Sequence, residues 1–327
     1  MDFRDSWKRA AAALPALAAL VFLLVLPAAG ARGDVLAGAD SAVATPGLAG
    51  FAAPVPILPA VGLWVDGSAR IGYAKKSGVV LWWGLEPPAP GAGTVDWRRV
   101  AFRIRAEAFR PDGKRAARQE DLIEPLHSDG ATERGGFPTP IDLVLAPGRY
   151  RLHLEAYPLI SAQKVGLDSV PHGRADVEMV VPEMSVGSQG WRVSDILFLG
   201  TLRKWEPGAA PQRTWYDWVG HPNVSRVFAA DTASAYAGFE VLRSSEVVPR
   251  CGPGRCRIVI TVRDATGGVV QQELRAVPEA GSLQAYVVRF RPGELGPGEY
   301  AAEIEIFEGS ELQATTRRGF KVIAAGR

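Results

Sequence analysis

The two cysteines are the residues whose chemistry is easiest to name. Cys251 and Cys256 enclose a Gly-Pro-Gly-Arg segment between two strand-like stretches. Outside the cytoplasm this spacing predicts a disulfide that staples a hairpin loop, and closing so short a loop contributes about 2 kcal/mol. Free thiols and a redox or metal role are the alternatives, but the Cys-x-x-Cys motif of redox proteins does not accompany the pair. We interpret it as a structural disulfide.

The remaining reactive side chains do not form a recognisable catalytic pattern. The histidines fall singly rather than at the short spacings of metal ligands, and no Gly-x-Ser-x-Gly motif marks a hydrolase serine. Paired carboxylates of the glycosidase type are conceivable, but the nearest group of acids lies in a charged, turn-flanked stretch that is typical of a solvated edge. We predict a non-enzymatic protein with no metal and no cofactor. The residues considered are His127, His153, His172 and His221, and Glu120, Asp121 and Glu124.

An aromatic cluster is the strongest candidate for a binding surface. Trp205, Trp215, Tyr216 and Trp218 fall within a short segment that also carries basic and acidic residues. Exposed tryptophans with polar neighbours stack on sugar rings or anchor a protein partner. The alternative is that these rings are buried where two structural modules meet. The cluster is therefore a candidate protein-partner or glycan surface.

The composition describes a protein with a substantial core and no nucleic-acid surface. Hydrophobic residues make up 47% of the 327 residues, which excludes a disordered chain. Lys and Arg number 37 against 35 Asp and Glu, so the net charge is only +2. Nucleic-acid-binding domains are usually strongly basic, and we expect no nucleic-acid partner.

The N-terminus has the layout of an export signal. Basic residues precede an uncharged stretch over 10–31, whose centre, Leu17 to Leu26, is strongly apolar. Small residues at Ala29-Gly30-Ala31 then match a cleavage site. The segment is interpreted as a signal peptide or as an uncleaved membrane anchor, with a buried cytosolic helix as the remaining alternative. If it is uncleaved, the chain contacts the membrane only through residues 10–31. Under the first two interpretations the rest of the protein is extracytoplasmic: periplasmic, secreted or anchored facing outward.

Beyond the leader, alternation with a period of two predicts β-strands. Residues 32–62 are rich in Ala, Gly and Pro and are predicted to be a flexible, disordered linker. From Val100 to Ala108 apolar and charged residues alternate, and a turn at Asp112-Gly113 follows. Residues 141–145 and 150–156 alternate on either side of Pro147-Gly148, which predicts a hairpin with one solvated face.

The pattern occurs twice. The Pro-Gly-x-Tyr sequence that ends in Tyr150 recurs 150 residues later, ending in Tyr300. Both tyrosines match the tyrosine corner of immunoglobulin-like sandwiches, in which the hydroxyl hydrogen-bonds nearby backbone. We predict an all-β protein with two tandem immunoglobulin-like β-sandwich domains, which follow an N-terminal apolar helix. The predicted ranges are a signal peptide or anchor over 1–31, the linker over 32–62, a first sandwich over 63–184, an inter-domain linker with the aromatic segment over 185–222, and a second sandwich over 223–327.

Short motifs around the junction resemble the β-rich part of bacterial GWxTD-domain proteins. These are Val181-Pro182, Ser194-Asp195-Ile196 and Phe239-Glu240-Val241, together with the Pro-Gly-x-Tyr step. The motif that names the family is absent. The resemblance covers about residues 75–325 and implies export and two immunoglobulin-like modules, but no catalytic residues.

These observations together predict a non-enzymatic exported protein of the bacterial cell envelope. Its tandem sandwiches would act as a protein-interaction or structural module with an envelope protein as partner. The alternative is a carbohydrate-binding module in which Trp215 and Trp218 stack on a sugar.

Overall fold

The protein is almost entirely β-structure, as the alternation predicts. The computed structural model describes residues 54–58, 61–71, 77–85, 95–123, 139–160, 170, 172–184, 190–204, 218–244, 255–277 and 282–325. Two hydrophobic cores lie in these residues, each between two sheets. The predicted fold class, an all-β tandem sandwich, is confirmed. The apolar leader falls outside the described residues.

The first sandwich contains eight described strands and a short 3₁₀ turn at Trp97–Arg99. The strands form two antiparallel sheets in the orders β1-β2-β3-β6 and β5-β4-β7-β8. They are β1 (Val55–Leu58), β2 (Leu63–Arg70), β3 (Ser77–Leu85), β4 (Phe102–Phe109), β5 (Arg115–Ile123), β6 (Thr139–Leu145), β7 (Gly148–Pro158) and β8 (Gly173–Val181).

The apolar face of each strand lines the first core. Trp83 of β3 and Phe102 of β4 are fully buried there, with Leu152 and Leu154 of β7. Because side chains alternate across a strand, the residues that alternate with these buried ones along each strand lie on the outer face of its sheet. The predicted sequence periodicity thus places the first core correctly.

The predicted hairpin at Pro147-Gly148 is wrong, although both of its strands exist. β6 pairs with β3, whereas β7 pairs with β4 and β8, so the chain crosses from one sheet to the other at this point. The hydroxyl of Tyr150 donates a hydrogen bond to the carbonyl of Ala146 at 2.8 Å, across this crossing. Alternation shows that a strand has one buried face, but both sheets bury a face on the same core, so the pattern cannot show which sheet the strand joins.

The second sandwich contains ten described strands and one helical turn, α1 (Pro292–Leu295). Its sheets have the orders β11-β10-β13-β16, with β9 also on β13, and β12-β18-β17-β14-β15, in which β12 runs parallel to β18. The strands are β9 (Trp191–Val193), β10 (Leu197–Lys204), β11 (Trp218–Pro222), β12 (Val227–Ala229), β13 (Ala235–Arg243), β14 (Cys256–Asp264), β15 (Val269–Ala276), β16 (Leu283–Phe290), β17 (Gly298–Glu308) and β18 (Glu311–Ile323).

Four phenylalanines meet in the second core. Phe290 packs edge-on against Phe228 at 5.3 Å between ring centroids and lies 5.0 Å from Phe320, which in turn is 5.1 Å from Phe198. Edge-to-face and tilted contacts of this kind stabilise a core beyond the area that they bury. The four rings come from both sheets and join them.

The two predicted linkers extend less far than the composition suggests. β1 lies inside the predicted linker over 32–62, and its Ile57 and Leu58 are buried in the first core. β9, β10 and β11 lie inside the predicted inter-domain linker over 185–222, and Phe198 belongs to the second core. β1 and β9 have only four and three residues, too few to show a period of two, and they lie beside Ala-, Gly- and Pro-rich sequence that hides them.

The two sandwiches share a repeated hairpin and strand. The β4–β5 hairpin turns at Gly113 (φ +80°) and the β14–β15 hairpin at Gly267 (φ +85°), where glycine readily adopts the left-handed conformation. β7 begins at Gly148 and β17 at Gly298, which keeps the predicted offset of 150 residues. The hydroxyl of Tyr300 donates to the carbonyl of Gly296 at 3.2 Å and also contacts that of Leu295.

Candidate functional site

Charged side chains are buried where the two sandwiches meet. On β2, Val65 and Ala69 face the first core, so Asp66, Ser68 and Arg70 lie on the outer face of the sheet. Asp66 and Ser68 are nevertheless only 4% and 3% exposed. Residues of the second sandwich cover them, and six charged residues meet there. We call these six the joint: Asp66 and Arg70 from the first sandwich, and Asp195, Arg226, Glu240 and Arg318 from the second.

Asp66 is the centre of the joint. Its carboxylate accepts hydrogen bonds from Nε of Arg226 at 3.0 Å and from Nη2 of Arg318 at 2.6 Å, and Nη2 of Arg226 is in close contact as well. Arg318 also donates to the carbonyl of Ile196 at 2.8 Å and to that of Gly67. All three charged side chains are at most 7% exposed. The carboxylate therefore compensates two guanidinium groups that water cannot reach.

Arg318 reaches Asp66 from an unusual position. It lies on β18 between Thr316 and Phe320, on the face that otherwise packs into the second core. Burial lowers the pKa of Arg318 and the nearby charge of Arg226 lowers it further, whereas Asp66 opposes both effects. A charge in this position is tolerated because a carboxylate of the other sandwich is beside it.

Arg226 is held in a backbone conformation that few side chains adopt. Its φ is +56°, in the left-handed region that costs about 1–2 kcal/mol for residues other than glycine. Its amide donates to the carbonyl of Asn223 at 3.2 Å, and its own carbonyl accepts from Lys321. The Asn223 side chain donates to the carbonyl of Val227 at 2.8 Å, which closes the same turn. This turn aims the guanidinium of Arg226 at Asp66.

A second ion pair completes the polar contact. Arg70 donates from Nε and Nη2 to one oxygen of Glu240, at 3.0 and 2.6 Å, while the amide of Ile71 donates to the other oxygen at 2.9 Å. Glu240 is 1% exposed. The six residues of the joint are three acids and three bases, so their charges balance among the residues that the structure describes.

The motifs that carry the family resemblance have a physical role here. Ser194 accepts a hydrogen bond from the Glu240 amide at 2.8 Å, and its own amide donates to the Glu240 carbonyl. Asp195 donates its amide to the Ala69 carbonyl at 3.0 Å and accepts from the Ala69 amide at 2.9 Å. The Ser-Asp-Ile and Phe-Glu-Val motifs thus fasten the second sandwich to β2 of the first.

The chain that connects the sandwiches is itself fastened beside the joint. The hydroxyl of Ser77 donates to the carbonyl of Pro182 and accepts from the amide of Met184 at 3.0 Å. Met184 packs with Ile71 and Leu242 in a small buried apolar cluster. On β3, a Cβ added to Gly84 would lie 2.9 Å from Val224 of the second sandwich. Polar, apolar and close backbone contacts together hold the two modules.

The outer face of the β5-β4-β7-β8 sheet carries a second group of charges. Glu155 is 4% exposed and accepts hydrogen bonds from Arg105 at 2.9 Å, Arg174 at 3.0 Å and the Tyr157 hydroxyl at 2.7 Å. Burial alone would raise the pKa of Glu155, but the hydrogen bonds from Tyr157, Arg174 and His153 outweigh it and lower the pKa to about 2. The Glu155 carboxylate therefore loses its charge only in strong acid.

Histidine and carboxylate positions differ from the sequence interpretation in one respect. The place of His153 on the polar face of a strand predicts a solvated side chain, but this side chain is only 18% exposed, with Nδ1 3.1 Å from Asp176 and Nε2 3.2 Å from Glu155. Glu120 follows the expected exposure, and a hydrogen bond from Arg118 lowers its pKa. A general acid needs a raised pKa, so Glu120 is poorly suited to that role. Glu124 lies outside the described residues.

Most of the predicted binding and disulfide residues lie where the structure gives no description. Trp205, Trp215, Tyr216 and Cys251 are outside the described residues. The backbone of Trp218 begins β11 and pairs with Lys204 on β10. Cys256 begins β14 and packs against the second core. The aromatic surface and the disulfide stay predictions.

The structure adds Asp66, Arg226 and Arg318, which the sequence reasoning missed. A signal for Asp66 was present, because it is the one charged residue within the otherwise uncharged run Leu63–Ala69. In the described part of the chain, no three His, Cys, Asp or Glu residues are placed to hold a metal ion. The same residues include no helix of the length and apolarity that a membrane span requires.

Comparison with known proteins finds only distant likenesses of the fold. No protein-family model matches the chain, and no curated protein matches it. Among solved structures it is similar to a biofilm-associated protein BSP domain (10% identity, TM-score 0.30, 80% of this chain and 30% of that one). It is also similar to a Bifidobacterium dentium beta-glucuronidase, with 11% identity, a TM-score of 0.25 and coverage of 75% of this chain and 39% of that one. A third similar structure is red sea bream transglutaminase, with 9% identity, a TM-score of 0.22 and coverage of 79% of this chain and 31% of that one. The chain thus spans under two-fifths of each of these, and likenesses this distant carry no inference about function.

Proposed function

We propose that this chain is a non-enzymatic, exported protein of the bacterial envelope that acts as a rigid protein-interaction or structural module. The observation that carries the proposal is the joint. Two sandwiches linked only by a flexible segment would reorient freely, whereas buried ion pairs have strict geometry and disfavour other arrangements. A fixed two-module body suits a protein that presents surfaces at a set separation.

The charged side chains support a binding role over catalysis. Asp66, Glu155 and Glu240 each accept hydrogen bonds from arginine, and the hydrogen bonds to Glu155 lower its pKa to about 2. Hydrolytic acids need at least one carboxyl group with a raised pKa in an open cleft. The three carboxylates named above join strands and modules, whereas the pKa of Glu305 is raised by burial and by the neighbouring charge of Glu303. The predicted export signal over residues 1–31 and the resemblance to GWxTD-domain proteins support the proposed compartment.

Site-specific photocrosslinking in bacterial cells tests this function. A crosslinking amino acid is placed at Asp176, exposed on the first sandwich, or at Gln284, exposed on the second, in the full chain. We expect a discrete crosslinked product with an envelope protein, and a weaker one when Asp66→Ala loosens the joint. The matched control is Asp142→Ala, an exposed aspartate in the same sheet as Asp66, which should leave the product unchanged.

Two outcomes would contradict the proposal. If cell fractionation finds the full chain in the cytoplasm, the proposed compartment is wrong. If the chain is exported but neither position yields a product, or if Asp66→Ala crosslinks as strongly as the wild type, rigid presentation to a partner is not its function.

A further inference from the structure

The edge strand β15 exposes an unusual amount of apolar surface. Among the strands that the structure describes, β15 pairs only with β14 and lies at the end of its sheet. Val269, Val270 and Leu274 are 53%, 45% and 63% exposed, and Leu274 is the most exposed large apolar side chain in the described residues. Edge strands normally carry charges, proline or bulges that prevent pairing with another chain. β15 has a bulge at Val270 and carries Glu273 and Arg275, but its regular part, Gln271 to Ala276, contains no proline and exposes Leu274.

The pairing of β15 with β14 shows which β15 side chains face the second core and which face outward. Leu274 lies opposite Val259 and Glu273 lies opposite Ile260. Because Ile260 faces the second core, Glu273 lies on the core side of the strand and Leu274 on the outer side. Arg275, on the same side as Glu273, forms an ion pair with it. An acid and a base thus stand on either side of Leu274.

This arrangement is complementary to itself. When two copies of one strand pair antiparallel about a twofold axis normal to the sheet, the axis passes through one residue position. An axis at Leu274 places Leu274 against its own copy and each Glu273 against an Arg275. An axis at Glu273 sets two like charges opposite each other, which is destabilising. An axis at Gln272 leaves both charges without an opposite partner.

We propose that β15 is the docking edge for a second copy of this chain, paired antiparallel about Leu274. The pairing extends the β12-β18-β17-β14-β15 sheet across both copies, satisfies the open backbone edge and covers the two Leu274 side chains. The two ion pairs between Glu273 and Arg275 set the register. This inference does not rest on the proposed envelope function.

The edge strand of the first sandwich provides a matched comparison. β5 occupies the place of β15 in the repeated hairpin. Its outer face carries Arg118 and Glu120, which pair with each other and with charges on β4. One apolar residue, Leu122, is exposed on it at 42%. β5 carries four charged residues in nine where β15 carries two in eight, so β5 is the better protected of the two edges.

Cysteine substitution tests the pairing and its register together. Opposed residues of antiparallel strands have Cα atoms about 4.5–5.5 Å apart, which a disulfide can span. The purified full chain is oxidised mildly and run on a non-reducing gel. We expect Leu274→Cys to give a covalent dimer that a reductant reverses. Gln272→Cys and the control Leu122→Cys should stay at the wild-type level, which also accounts for the native cysteines.

A charge exchange in the Leu274→Cys background tests the ion pairs. Glu273→Arg sets Arg against Arg at two symmetric positions, and this repulsion should lower the dimer yield about tenfold, which corresponds to about 1.4 kcal/mol. Adding Arg275→Glu should restore it. Leu274 is exposed, so these chains should fold, and circular dichroism verifies this. The proposal is overturned if Leu274→Cys gives no dimer, if Gln272→Cys or Leu122→Cys dimerises as well, or if the exchange does not restore the yield.

Discussion

Removing the carboxylate of Asp66 should destabilise the protein more than any other single change at the joint. Asp66→Ala removes the carboxylate that Arg226 and Arg318 share, while their side chains are only 3% and 7% exposed. Breaking a buried ion pair from one side costs about 3–5 kcal/mol, chiefly because the remaining charge stays buried. We expect a loss of this size in the free energy of unfolding.

Urea denaturation monitored by tryptophan fluorescence measures the effect, since tryptophans such as Trp83 and Trp191 lie in the two cores. The control Asp142→Ala removes an exposed carboxylate of the same sheet and should change stability by less than about 0.5 kcal/mol. A biphasic Asp66→Ala transition would mean that the sandwiches unfold separately once the joint is broken.

A triple replacement separates charge burial from packing. Asp66→Leu with Arg226→Met and Arg318→Met removes all three charges at similar volume, and such replacements are often neutral or stabilising by about 1–4 kcal/mol. We expect the triple variant to be much more stable than Asp66→Ala. If Asp66→Ala costs under about 1 kcal/mol, or if the triple variant is as unstable as Asp66→Ala, the uncompensated-charge argument is refuted.

Three further changes test other contacts. Gly84→Ala places a Cβ 2.9 Å from Val224 and should lower the free energy of unfolding, measured by urea denaturation, by about 1–3 kcal/mol. The loss should be smaller when Val224 is also changed to Ala, because the clash is then relieved. Glu155 has its pKa lowered from 4.5 to about 2, so its stabilising contribution is complete above pH 4.5 and is lost as the pH falls toward 2. Glu155→Gln should therefore lose less stability than the wild type over that range in acid titrations. Tyr150→Phe removes the hydrogen bond to Ala146 and should lower the free energy of unfolding by about 1 kcal/mol.

Each of these three predictions can be contradicted by one result. Additive effects of the substitutions at 84 and 224 would show that the two residues do not contact each other. Parallel acid-unfolding curves for Glu155→Gln and wild type would show that the lowered pKa does not contribute to stability. If Tyr150→Phe has the same free energy of unfolding as the wild type, solvent replaces the lost hydrogen bond.

The strands and their turns could be predicted because their signals are local. Alternation over 102–108 and glycine at 113 and 267 specify a hairpin with little help from the rest of the chain, since side-chain period and positive φ are properties of a few neighbouring residues. The 150-residue offset between Tyr150 and Tyr300 likewise revealed the tandem repeat. β1 and β9 were missed because strands of three or four residues show too few alternations.

The sequence by itself determined that this is a tandem β-protein, since one buried face per strand is imprinted in residue spacing. Only the tertiary structure decided which sheet each strand joins and which charges are buried. Asp66 and Arg318 are 252 residues apart. Nothing near either residue indicates its partner, because the desolvation that makes the pair necessary arises only when the two sandwiches pack together.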